Sequence, residues 1–176
     1  MNLRQKLSLE LLSETKVIRP FDCGDHDLNS FLLNESKNFK KNLLATTYIV
    51  QTPKFTVGYF SLLNDKVSKK ESQSNRKWKQ KFTESMPQGK QFKSYPAVKI
   101  GRLAVDVKMN GEGLGSLMIQ YVKETFRKSQ KSGCKFITVD AYRDSLKFYE
   151  KNGFEYLTKN DEGANTRLMY FDLTVI

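Results

Sequence analysis

The stretch that decides the fold is Leu103-Ala104-Val105-Asp106-Val107-Lys108-Met109-Asn110-Gly111-Glu112-Gly113-Leu114-Gly115-Ser116. It begins as an apolar β-type run and continues into a helical pattern, and three glycines stand at alternate positions where one becomes the other. Glycine permits a tight turn and lets a ligand come close to the backbone amides. The first turn of a helix offers unpaired N–H groups and a positive dipole end. The stretch therefore predicts a diphosphate cradle, with Lys108 adding a positive charge at its mouth.

A glycine cluster ahead of a helix does not by itself establish phosphate binding. The plain alternative is a tight turn that brings the helix close to the strand. A Walker loop is excluded because no Gly-Lys-Ser/Thr follows. A dinucleotide-binding fingerprint fits poorly, because the cluster falls late in the chain and no acid ends a following strand at the usual place for ribose recognition.

Hydrophobic periodicity extends this strand–turn–helix unit in both directions. Helical spacing runs from Leu114 to Phe126, and further helices are predicted from Asp25 to Lys40 and over 143–152. Strands are predicted at 8–13, 43–51, 55–63, 95–107, 135–141, 154–157 and 166–173. The order β-α-β-β-insertion-β-α-β-α-β-β predicts an α/β (α+β) fold in one domain over residues 1–176, with a partly parallel sheet.

The rest of the composition narrows the class of protein. No apolar run of about 18 residues occurs, so we expect no membrane span. The first residues lack the apolar core of a signal peptide. Cys23 and Cys134 lie far apart without metal-ligand spacing, which favours free thiols in a reducing cytoplasm and no metal site.

The net charge of +11 favours a polyanionic ligand, such as nucleic acid, an anionic membrane surface or a polyphosphate cofactor. The alternative is a soluble protein that is merely basic. Between Lys66 and Lys93 nine Lys or Arg stand against two Glu, a net of +7. We expect a basic insertion at about 66–95, partly helical near 75–82, and too long for a plain connector. Its Trp78 either stacks on a nucleobase or packs the insertion onto the domain.

Two motifs together resemble the GCN5-related N-acetyltransferases, the GNAT family. Lys108-Met109-Asn110-Gly111-Glu112-Gly113 resembles motif A, Arg/Gln-x-x-Gly-x-Gly/Ala, and Ser145-Leu146-Lys147-Phe148-Tyr149-Glu150-Lys151-Asn152-Gly153-Phe154 resembles motif B. The resemblance covers nearly the whole chain. It implies a mixed, mostly antiparallel sheet that is splayed at its central strands and flanked by helices. Lys108 departs from the usual Arg or Gln and lacks the planar fork of arginine, so its phosphate contact is expected to be looser.

The resemblance also implies the chemistry, which is acetyl transfer from acetyl-CoA to a primary amine. The implied cofactor-binding residues are Leu103, Ala104 and Val105 for the pantetheine arm, Lys108, Asn110, Gly111, Glu112, Gly113, Leu114, Gly115 and Ser116 for the pyrophosphate, and Ser145 in the second motif. Tyr149 is implied to be catalytic, because a phenol with a pKa near 10 stays protonated and can protonate the leaving thiolate. The alternative is a core tyrosine. A backbone N–H near Val105 is the candidate oxyanion donor.

No residue stands out as the general base. Asp106, Asp140 and Glu35 qualify by charge, yet each also fits a solvated or structural carboxylate. An acceptor amine of low pKa needs only a chain of water molecules. His26, the single histidine, is expected to cap or decorate the first helix.

Two further blocks resemble one subgroup of the family, the acetyltransferase toxins of bacterial toxin–antitoxin pairs. They are Phe21-Asp22-Cys23-Gly24-Asp25-His26-Asp27-Leu28-Asn29-Ser30-Phe31-Leu32 and Lys99-Ile100-Gly101-Arg102-Leu103-Ala104-Val105-Asp106. This resemblance implies aminoacyl-tRNA as the acceptor, with Lys66–Lys93 contacting the tRNA phosphates, and a small antitoxin or a homodimer as partner. Two alternatives stay open, namely an acetyltransferase of a small-molecule or protein amine and a non-catalytic CoA- or RNA-binding module.

Overall fold

The computed structural model describes residues 7–71, 78, 82, 92–128 and 132–175. The strands are β1 Ser8–Leu11, β2 Thr46–Gln51, β3 Thr56–Ser68, β4 Ser94–Val105, β5 Phe136–Tyr142, β6 Glu155–Tyr156 and β7 Thr166–Asp172. The helices are α1 His26–Ser30, α2 Ser36–Lys41, α3 Leu114–Lys128 and α4 Leu146–Lys151, and a π-helical segment, Phe31–Glu35, joins α1 to α2. The order predicted from the periodicity is confirmed for these residues.

The strands of the described residues form a seven-stranded sheet in the order β1-β2-β3-β4-β5-β7-β6. Pairing is antiparallel between β1 and β2, β2 and β3, β5 and β7, and β6 and β7. The β4–β5 pairing is parallel and covers only Ala97–Lys99 opposite Phe136–Thr138, although β4 continues to Val105. A mixed, mostly antiparallel sheet with short pairing at its central strands is therefore confirmed.

The chain divides into two compact units, residues 1–63 with 100–122 and residues 64–99 with 123–176. In the first unit Tyr59 is the centre of an aromatic core. Phe21 meets its ring edge-on at a centroid distance of 5.5 Å, and Phe31 stacks on it at 6.2 Å. The Tyr59 hydroxyl donates to the carbonyl oxygen of Leu28 at 2.8 Å, so a partly buried hydrogen bond links α1 to β3.

The second unit has an aromatic core of its own, and Trp78 belongs to it. Trp78 is 3% exposed and lies 4.9 Å from the ring of Phe82 and 5.5 Å from that of Tyr95. Its ring is occupied by packing, which removes a large apolar surface from water. The hypothesis that Trp78 stacks on a nucleobase is therefore wrong, and the packing alternative is confirmed.

The basic insertion is shorter than expected, because strand structure reaches into both of its ends. β3 continues to Ser68 with Val67 fully buried, and β4 begins at Ser94. The N–H of Lys69 donates to the carbonyl oxygen of Lys93 at 2.9 Å, which closes the base of the insertion. The helix expected near 75–82 lies outside the described residues, apart from Trp78 and Phe82.

No helix in the described ranges is long and apolar enough to cross a membrane.

Candidate functional site

The glycine turn of the first unit has the backbone that its sequence predicts. Gly111 and Gly113 have φ angles of +82° and +74°, a region that L side chains rarely adopt. Both glycines are exposed, and among the described residues no atom beyond their chain neighbours lies within 4 Å of where a Cβ would stand. The turn leads directly into α3, whose first turn presents N–H groups that have no partner inside the helix. The two glycines therefore leave room at this backbone for an anion to approach.

Asp106 fixes the approach to the turn. Its carboxylate is buried and accepts the backbone N–H of Asp22 and of Lys108, each at 3.0 Å. Its own N–H donates to the carbonyl oxygen of Val57 at 3.0 Å. These bonds hold the 3₁₀ turn Val107–Met109 between β4 and the glycines. The geometry therefore favours a structural carboxylate at Asp106 over a general base.

Replacing Asp106 by Ala is expected to lower the free energy of unfolding by about 1–3 kcal/mol, because two N–H groups lose their buried acceptor. Urea denaturation measures this. Asp140→Ala is the matched control, because Asp140 is half-exposed and pairs with Lys99, and we expect it to cost less than about 1 kcal/mol. Equal losses in the two variants would contradict the structural role of Asp106.

The cofactor-binding residues expected in motif A lie together in the first unit. Leu103, Ala104 and Val105 are the last three residues of β4, and Ala104 is buried. Lys108 is exposed on the 3₁₀ turn, with its Nζ 5.2 Å from the centre of the Phe55 ring. The remaining members continue along the chain, with Asn110 and Glu112 exposed in the turn, Leu114 buried at the start of α3, and Gly115 and Ser116 half-buried behind it.

Tyr149 lies in the second unit, on α4, and Ser145 is the residue that precedes this helix. The Tyr149 ring is buried and meets Phe148 and Phe154 edge-on at 5.1 and 5.4 Å. Burial raises the pKa of the Tyr149 phenol well above its usual value. The phenol therefore keeps its proton throughout the physiological range, as a general acid requires.

The positions of the other two candidate general bases, Asp140 and Glu35, also do not single out a base. Asp140 forms an ion pair with Lys99, and Glu35 is exposed at the end of the π-helical segment. His26 is exposed as the first residue of α1, while the neighbouring Asp25 caps the helix by accepting the N–H of Leu28 at 2.9 Å. Within the described ranges no group of three or more His, Cys, Asp or Glu side chains could hold a metal ion.

The two blocks that resemble the toxin subgroup pack against each other, which sequence reasoning did not reveal. The Arg102 guanidinium lies 3.8 Å above the ring centre of Phe31 and 5.6 Å from that of Phe39. The N–H of Val107 donates to the carbonyl oxygen of Asp22 at 2.9 Å. The N-terminal block, residues 21–32, therefore packs against the strand and turn of motif A and supports them. The charge of Arg102 among the apolar residues of β4 is the sequence signal for this contact.

Comparison with known proteins agrees with this architecture. Residues 82–156 match the family model of the acetyltransferase (GNAT) domain. Among solved structures, AtaT complexed with acetyl-methionyl-tRNAfMet is 26% identical, with 94% of each chain covered and a TM-score of 0.75. AtaTR bound with AcCoA is 26% identical, covering 96% of this chain and 95% of that one, with a TM-score of 0.73.

A Tyr-to-Phe mutant of KacT has the same fold. It is 23% identical, covers 96% of each chain and gives a TM-score of 0.78. The matched domain, the mixed sheet and the glycine turn ahead of α3 agree with one another, and the chain has a GNAT-like fold.

Proposed function

We propose that the protein transfers the acetyl group of acetyl-CoA to the α-amine of an aminoacyl-tRNA. The observation that carries the donor half of this proposal is the open turn at Gly111 and Gly113, which offers backbone amides and a helix N-terminus to a pyrophosphate. Its structural neighbours support both halves, because AtaTR was solved with AcCoA and AtaT with acetyl-methionyl-tRNAfMet.

In the proposed mechanism the neutral amine attacks the thioester carbonyl carbon and forms the new C–N bond. The C–S bond of the tetrahedral intermediate then breaks, and the leaving thiolate takes the proton of the Tyr149 hydroxyl. The amine gives its surplus proton to water, and water returns a proton to the Tyr149 phenolate. Burial raises the pKa of Tyr149, so the phenol is protonated and available to the thiolate over the physiological pH range.

The proposal that the acceptor is a tRNA rests on the positive charge of the insertion. The basic insertion carries nine Lys or Arg against two Glu between Lys66 and Lys93, and Lys or Arg side chains neutralise nucleic-acid phosphates. Charged tRNA places the reaction in the cytoplasm. A small antitoxin is part of the proposal, because AtaT was solved bound to the C-terminus of the antitoxin AtaR. A homodimer stays a prediction.

The test is incubation with labelled acetyl-CoA and total charged tRNA. Label is expected in the tRNA fraction and, after mild alkaline hydrolysis of the ester, in N-acetylated amino acids. Uncharged tRNA, a polyamine and a lysine peptide are the controls. Label in a small amine but not in tRNA would overturn the acceptor, and label in no amine would overturn acetyl transfer.

The pH profile of the initial rate separates the acceptor classes. An α-amine has a reference pKa near 8 and a lysine amine one near 10.4, so the rate is expected to level off near pH 8 for aminoacyl-tRNA. The raised pKa of Tyr149 means that its active, protonated form persists beyond pH 10. No descending limb is therefore expected below pH 10. The rate is measured with an amino-acid ester that does not hydrolyse in this pH range. A fall in its acetylation rate between pH 8 and 10 would contradict the role of Tyr149 as the acid.

A further inference from the structure

Lys123 is a buried cation that the acetyl-transfer mechanism does not yet use. It lies in the second half of α3 and is only 8% exposed. Its Nζ lies 3.7 Å from the centre of the Phe171 ring on β7 and 5.7 Å from that of Phe154. It also donates to the carbonyl oxygen of Asn152 at 2.5 Å.

Through these contacts Lys123 reaches the turn that ends α4, the helix that carries Tyr149. Asn152 follows α4 directly, and Gly153 takes a φ of +78°. The N–H groups of Asn152 and Phe154 both donate to the carbonyl oxygen of Tyr149 at 3.0 Å. Phe154 then packs edge-on against the Tyr149 ring. Lys123 therefore contacts both the backbone turn and the Phe154 ring that pack against Tyr149.

Packing alone does not explain a cation at this position. A buried charge is costly unless it is paired, and Lys123 forms no ion pair within the part of the chain that the structure describes. Burial and the neighbouring Arg127 lower the pKa of Lys123, which indicates an unfavourable site for the charge. Methionine would fill the same space without that cost. The ammonium group is the feature that distinguishes this residue from an apolar one.

We propose that Lys123 is a positioning residue for Tyr149, acting through the Asn152 carbonyl and the Phe154 ring. The inference rests on the proposed function, in which Tyr149 protonates the leaving thiolate. Loss of the ammonium group releases the turn Asn152-Gly153-Phe154, and the phenol then samples orientations away from the sulfur. Small displacements of a catalytic group cost about 10- to 100-fold in rate.

The test is Lys123→Met in the full-length protein. We expect kcat for acetyl transfer to fall about tenfold, while KM for acetyl-CoA changes by less than about twofold. The unfolding temperature is expected to stay level or rise, because a buried charge is replaced by an apolar side chain. Arg127→Met is the matched control, since Arg127 also lies over Phe171, at 5.6 Å, but donates to the carbonyl oxygens of Leu173 and Val175. Its kcat is expected to stay within about twofold.

A double-mutant cycle decides whether Lys123 acts through Tyr149. In a Tyr149→Phe background, Lys123→Met is expected to lower the residual rate by less than about twofold, because no phenol is left to misplace. The same tenfold loss in both backgrounds would overturn the proposal, as would a rise in KM without a fall in kcat.

An NMR readout keeps this test separate from the proposed function. With ¹³C-labelled tyrosine, the Tyr149 ring signal is identified by its loss in Tyr149→Phe. Lys123→Met is expected to shift or broaden that signal, and Arg127→Met to leave it unchanged. If the unaltered protein acetylates no amine, the proposed function fails while this readout still decides the contact. An unchanged Tyr149 signal in Lys123→Met overturns the positioning role.

Discussion

Replacing Tyr149 by Phe is expected to lower kcat for acetyl transfer by about 10²- to 10⁴-fold, the usual contribution of a positioned general acid. The thiolate then has to leave without the proton of the phenol. The fold is expected to persist, because the ring contacts with Phe148 and Phe154 do not involve the hydroxyl. KM for acetyl-CoA should change by less than about twofold, since the glycine turn is untouched.

Tyr156→Phe is the matched control for this experiment. Tyr156 belongs to the same unit, and its hydroxyl donates to Glu150 Oε1 at 2.7 Å. We expect its kcat to equal that of the unaltered protein. If Tyr149→Phe also retained the full rate, Tyr149 would be a core tyrosine and the acid would lie elsewhere.

Gly113→Val is expected to lower kcat/KM for acetyl-CoA by about 100-fold, mainly through binding. The φ of +74° is one that a β-branched residue adopts only with strain of about 1–3 kcal/mol. The turn either relaxes, which moves its amides, or keeps its shape and presents a branched side chain where the pyrophosphate is proposed to lie. Calorimetric titration with CoA measures the loss directly.

Gly163→Val controls for the substitution itself. Gly163 is exposed in the loop before β7 and does not adopt a positive φ. In the part of the chain that the structure describes, no atom beyond its chain neighbours lies within 4 Å of its Cβ position. CoA affinity is expected to be unchanged in this variant. Tight CoA binding by Gly113→Val would show that the pyrophosphate is held elsewhere.

The parts of the fold that depend on local pattern could be predicted from the sequence. The apolar positions from Leu114 onward repeat with helical spacing, and Gly111 and Gly113 stand where a positive φ is needed. Local chemistry is sufficient there, because only glycine adopts that backbone without strain. The donor half of the candidate site therefore rests on residues close together in the chain.

Features that depend on distant contacts could not be predicted. Phe31–Glu35 has an ordinary helical pattern, and its π-helical form accompanies the stacking of Phe31 on Tyr59 and under Arg102. The helical pattern predicts an exposed side chain at Lys123. Its burial depends on contact with Phe171, which is 48 residues away along the chain. A pattern within one helix carries no information about such partners.

On the proposed function, the burial of Trp78 has a consequence for how the protein selects its acceptor. With the indole ring packed against Phe82 and Tyr95, the basic insertion loses its one tryptophan as a platform for a nucleobase. In the proposed reaction its lysines and arginines contact tRNA phosphates, which are the same in every tRNA. The positive charge of the insertion then attracts every tRNA species equally. Discrimination between them falls to the aminoacyl end, where the esterified amino acid meets the thioester.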